Sequence, residues 1–150
     1  MTMRVKKAPQ RWFAVLASLL VLGLPGCSSS NNPEPQIPYV SFNEPISVLD
    51  QRYVQLRTDN GAVQAPGGVR GLIMVRQNAT SYLAFERNCP YRPYDDACST
   101  VSIDASRLFL TDECCGSQFT LQGQVRGGPA TRSLRQYTTS LSGNVLIITN

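Results

Sequence analysis

The 150-residue chain has no histidine. Within this chain that excludes every mechanism needing an imidazole as base, nucleophile or metal ligand. Lysine is nearly missing as well, restricted to Lys6 and Lys7. The formal charge is +4, yet beyond residue 26 ten arginines stand against ten carboxylates, so the body of the chain is neutral. Without a basic excess there is no charge to release counterions from phosphate, and no nucleic-acid partner is expected. The apolar stretch Trp12–Leu24 has thirteen residues, well short of the roughly 20 that a membrane-spanning helix needs. Charged residues are scarce at 16% against 42% hydrophobic, and 11 Gly and 10 Pro punctuate the chain. That balance suits a single compact β-rich domain and argues against disorder or a long coiled coil.

What is present begins with a leader pattern. Arg4, Lys6, Lys7 and Arg11 border the apolar stretch, and Leu24-Pro25-Gly26-Cys27 resembles the lipobox of a bacterial lipoprotein, in which the bond before the cysteine is cut and the cysteine acylated. Residues 1–26 are therefore expected to be a signal peptide. Cys27 is the expected lipidation site, and residues 27–38, rich in Ser, Asn and Pro, form the expected flexible tether. Acyl chains contribute about 0.8 kcal/mol per buried methylene, so such a cysteine holds its protein on a bilayer. The tether reaches at most about 36 Å. The expected location is the cell envelope, and Ser28 after the acylated cysteine favours an outer membrane, facing the periplasm.

Residues 39–150 read as a domain of short β-prone runs separated by turn residues, with no sustained helical period. Val48, Tyr53, Val54 and Leu56 suggest an opening pair of strands. Gly71–Arg76 and Tyr82–Glu86 form a hairpin pattern across Gln77–Ser81. Thr100–Ile103, Leu108–Leu110, Gln118–Leu121, Gln124–Arg126, Leu134–Thr138 and Asn144–Ile148 complete the set. The expected fold class is all-β, a small antiparallel sandwich or barrel of more than one sheet.

Cys89, Cys98, Cys114 and Cys115 fall in two segments between strands. An even number in an exported chain implies pairing. A bridge between the neighbours Cys114 and Cys115 is strained and rare, which leaves two connectivities between the segments. The spacing does not choose between them; the pairing carried forward is Cys89 with Cys115 and Cys98 with Cys114. Each such bridge is worth roughly 3 kcal/mol by loop-closure entropy.

These residues also carry a family likeness. Ala84-Phe85-Glu86-Arg87-Asn88-Cys89-Pro90-Tyr91, followed by Cys115-Gly116-Ser117-Gln118-Phe119, resembles a Rieske domain, which holds a 2Fe-2S cluster with Cys-x-His from one loop and Cys-x-x-His-Gly-Ser-x-Phe from a second. Gly123-Gln124-Val125, Gly128-Pro129-Ala130, Leu134 and Tyr137 extend the likeness, which runs from about Gly68 to Ile148. In this register Cys89, Tyr91, Asp112 and Cys115 occupy the four ligand positions, with Gly116 and Ser117 beside them; a one- or two-residue deletion puts Cys114 in place of Asp112. The frame matches, but both histidines are replaced. Two neutral imidazoles hold one iron of that centre, and a phenol and a thiol in their place change charge and geometry together. The resemblance thus implies a degenerate Rieske-like domain in which sulfur bridges, Cys89 to Cys115 among them, pin the loops that a cluster once held. No cofactor is expected. The alternative is zinc or an atypical 2Fe-2S cluster on Cys89, Cys98, Cys114 and Cys115.

Other candidates are weaker. Asp95-Asp96 and Asp112-Glu113 lack the spaced acidic run of a calcium loop and read as solvated loops. Ser117 has no base to activate it and reads as a turn-capping hydroxyl. Cys114-Cys115 would serve thiol redox chemistry only as a labile pair with a lowered pKa. The expectation is a membrane-anchored binding or structural module, not an enzyme, whose Cys89–Tyr94 loop tip offers an envelope protein a docking surface. The competing expectation is a periplasmic electron carrier.

Overall fold

The computed structural model describes Thr2 and residues 36–150. The expected signal peptide, Cys27 and most of the expected tether lie outside the described residues. The described chain is all-β. A six-stranded antiparallel sheet has the order β1-β10-β9-β4-β3-β2, built from β1 (Asn43–Ser47), β2 (Ala62–Ala65), β3 (Leu72–Asn78), β4 (Ser81–Glu86), β9 (Gln136–Ser142) and β10 (Val145–Thr149). A four-stranded sheet, β5-β6-β7-β8, uses Ser102–Ile103, Leu110–Thr111, Gln118–Phe119 and Val125–Gly127.

The β3/β4 hairpin is the centre of the molecule, with Ile73 opposite Phe85 and Met74 opposite Ala84. Its two faces serve two cores, which is why β3 reads as an unbroken apolar run with no alternation. Leu72, Met74, Tyr82 and Ala84 point into one core with Ile46, Leu56, Tyr137, Leu146 and Ile148. Ile73, Val75 and Phe85 point into the other, against Val101, Leu110, Phe119, Leu121 and Leu134. The small sheet closes over this second core and holds the cysteine loops against it.

The opening pair of strands expected around Val48–Leu56 is not formed. A 3-10 helix spans Gln51–Arg57 instead, its first turn capped by Asp50, whose carboxylate accepts from Arg52 N at 2.9 Å. Tyr53 and Leu56 are its buried residues. The helix kinks at Tyr53, whose φ of −114° and ψ of 25° are not helical, and Tyr53 and Leu56 turn inward three residues apart. β1 and β2 were not anticipated, because Asn43-Glu44-Pro45-Ile46-Ser47 and Ala62-Val63-Gln64-Ala65 are short and carry little β-branched character.

The packed body begins ahead of residue 39. Ile37 is buried, and the Arg135 guanidinium donates to the carbonyls of Ile37 and Pro38 at 2.6 and 2.7 Å.

Candidate functional site

Two loops meet at one end of the small sheet. The first leaves β4 and is clamped at its stem: Asn88 bridges Thr100, Cys89 N donates to Ser99 O at 3.2 Å, and Val101 N donates to Arg87 O at 2.7 Å. Inside the loop Asn88 Nδ2 donates to Pro93 O at 2.9 Å, while Ser99 Oγ donates to Asn88 Oδ1 at 3.0 Å. These bonds leave Cys89 1% exposed against the second core.

The second loop joins β6 to β7. Asp112 N donates to Ser117 O and Gly116 N to Asp112 O, at 2.9 and 2.8 Å. Gly116 closes this turn with φ +75°, a conformation L side chains rarely adopt. The Asp112 side chain accepts from Cys114 N at 3.0 Å and Cys115 N at 3.4 Å, the local bonding expected of an aspartate at a turn. Ser117 Oγ accepts from Cys115 Sγ at 3.0 Å and from Ala130 N at 3.1 Å. Ser117 is thus a buried bonding hub, one step beyond the turn-capping hydroxyl expected of it.

A disulfide between Cys98 and Cys114 ties the loops together, with Cα atoms 5.4 Å apart. This is one of the two bridges expected. The other pair stands as free thiols: Cys89 and Cys115 face each other with Sγ atoms 3.9 Å apart. The bridge also removes Cys98 and Cys114 from the four-thiolate metal set considered from the sequence, and it commits Cys114 away from its neighbour Cys115. The ligand atoms the fold does bring together are those of Cys89, Asp112 and Cys115, all within 4.8 Å of one another. Tyr91, at the fourth position suggested by the Rieske resemblance, is half-buried against the same core, and the Arg92 guanidinium lies 5.2 Å over its ring.

Two of this trio, Cys89 and Asp112, are deeply buried. Asp112 is 1% exposed, and its Oδ2 has no hydrogen-bond partner. Burial pushes the Cys89 thiol well above its ordinary range, and the neighbouring Asp112 and Cys115 add to the shift. Cys115 is more accessible, bordering an open cleft of about 230 Å³ lined also by Tyr91, Arg92, Asp95 and Pro129. The acids of the first loop go elsewhere: Asp96 pairs with Arg70 at 2.8 Å, and the Asp95 side chain accepts from Ala97 N.

The donors gathered here are two sulfurs and a carboxylate. The chain offers no imidazole.

One structural residue escaped the sequence reading. Glu86, fully buried, receives Val69 N and Arg70 N, at 2.7 and 2.9 Å, Asn88 N at 2.8 Å and the Tyr137 hydroxyl at 2.6 Å. An acid ending a strand as apolar as Tyr82-Leu83-Ala84-Phe85 was the available signal.

No family model matches the chain, and no curated protein matches it. Among solved structures it is similar to the cyanobacterial plasma membrane Rieske protein PetC3 from Synechocystis PCC 6803, at 24% identity over 60% of this chain and 87% of that one, with a TM-score of 0.48. Among the described residues no helix is long and apolar enough to cross a membrane.

Proposed function

We propose that this chain is a lipid-anchored module of the cell envelope, a Rieske-like β domain that carries no iron-sulfur cluster and works by binding rather than catalysis. One observation carries the reading: in a chain without histidine, the positions matching the cluster ligands hold two thiols, a carboxylate and a phenol, with the thiol sulfurs 3.9 Å apart. The frame is kept while the electron-transfer chemistry is lost. Acylated Cys27 anchors the domain to the outer membrane on its periplasmic side, and the Cys89–Tyr94 tip meets an envelope protein. Tyr94, 65% exposed beside Pro93, supports that role for the tip.

The test uses full-length protein extracted from native membranes. Its visible spectrum, its iron and acid-labile sulfide content, and the mass of its N-terminal peptide are measured. The expected result is no stoichiometric iron or sulfide and an acyl modification on Cys27. Stoichiometric iron with sulfide absorption bands would overturn the reading in favour of a periplasmic electron carrier with an atypical 2Fe-2S centre. An unmodified Cys27 would overturn the anchor.

A further inference from the structure

A domain without a cluster has no evident need for three metal-binding side chains converging in a buried place. We propose that Cys89, Cys115 and Asp112 hold a single zinc(II) ion, a mononuclear site in place of a binuclear one; this inference rests on the reading of the domain as lacking a cluster.

The geometry suits one ion. Two thiolates on a tetrahedral zinc, with bonds of about 2.3 Å, place their sulfurs roughly 3.8 Å apart. The Sγ atoms of Cys89 and Cys115 are 3.9 Å apart, with the Asp112 carboxylate within 4.8 Å of both. The carboxylate is also held in place. Oδ1 is held by Cys114 N and Cys115 N, while the buried Oδ2 is left without a partner. A buried carboxyl oxygen with neither donor nor cation is costly, and such groups are paired or coordinate metals. Asp112 makes no ion pair among the described residues.

The donor chemistry selects the metal class. Two sulfurs exclude the hard cations magnesium and calcium, and a mixed thiolate and carboxylate set suits zinc. Binding moves no electrons: both thiols lose their protons to water as the Zn–S bonds form. Ser117 Oγ, 3.0 Å from Cys115 Sγ and already accepting from Ala130 N, then turns its own O–H toward the thiolate sulfur. The Cys98–Cys114 bridge fixes the spacing of both loops before any ion arrives. Cys115 borders the open cleft, so the fourth position is reached from solvent and taken by water.

The experiment loads full-length protein in detergent with zinc alone, dialyses it, and measures zinc per chain, intact mass and chelator-dependent thiol titration. Cobalt(II) replaces zinc in a parallel sample as a spectroscopic probe. The expected result is one retained zinc, two thiols titratable only after chelation, and thiolate-to-cobalt charge-transfer bands that are lost in Cys115→Ser. Asp112→Asn, which keeps an oxygen to accept the loop N–H groups, should weaken zinc binding at least tenfold while preserving the fold, and affinity should fall as pH is lowered because protons compete for the thiols. Protein that retains no zinc, a mass showing a second disulfide between Cys89 and Cys115, or unchanged affinity in Asp112→Asn would each overturn the ion site while leaving the clusterless domain standing. Native iron with sulfide would overturn both.

Discussion

Tyr137 donates its hydroxyl proton to Glu86 Oε2 at 2.6 Å, joining β9 to the end of β4 across 51 positions of sequence. The same carboxyl group gathers Val69 N, Arg70 N and Asn88 N, so the turn before β3 and the stem of the Cys89 loop hang from one side chain. Tyr137→Phe should lower stability by about 2 kcal/mol, because the acceptor left behind is buried. The shift should appear as a lower denaturant midpoint at unchanged m-value.

The same pair predicts an alkaline limit. Burial first, and then Glu86, holds the Tyr137 phenol above its ordinary value of 10.0. A proton bound more tightly in the folded than in the unfolded chain stabilises fully below that ordinary value and progressively less as pH rises past it. Denaturation series from pH 8 to about 12 should therefore show stability falling above about pH 10. In Tyr137→Phe this component of the fall should vanish; an identical alkaline slope in both proteins would contradict the assignment.

The Cys98–Cys114 bridge closes a segment with a sequence separation of 16. Cys98→Ser should cost roughly 3 kcal/mol by loop-closure entropy. Thermal unfolding with and without reductant checks it: reductant should lower the melting temperature of the parent much more than that of the variant.

Gly128 sits at φ +85°, and a Cβ there would collide with the backbone of Gly116 and Ser117. The left-handed conformation alone costs an L residue about 1–2 kcal/mol, and rigid backbone has no easy way to yield. Gly128→Ala should therefore destabilise by about 2 kcal/mol or more and loosen the second loop, read as faster amide exchange at Cys115–Ser117.

Ser117→Ala removes the acceptor of Ala130 N. An unpartnered buried N–H costs about 1–3 kcal/mol. Chemical denaturation measures the loss; a change under half of that would mean water replaces the hydroxyl.

Much of this molecule was legible in its residues. The β3/β4 hairpin announced itself because Leu72–Val75 is apolar at every position and the turn after it is polar. The loops carrying Cys89 and Cys114-Cys115 were placed by the strands flanking them, and the missing histidines excluded imidazole chemistry outright. Local patterns misled where elements were short: around Tyr53 and Leu56 the Asp50 cap started a helical turn that overrode β-prone side chains, and the helix kinks at Tyr53.

The sequence by itself determined an all-β domain with four cysteines in two loops and no imidazole anywhere, because strand patterning and composition are local properties. Only the tertiary structure decided which sulfurs pair, that Cys89 and Cys115 face each other beside the unpartnered Asp112 Oδ2, and that Glu86 serves four donors drawn from three parts of the chain. Those relationships depend on distances between residues remote in sequence, and such distances are set by how two sheets close over a shared core.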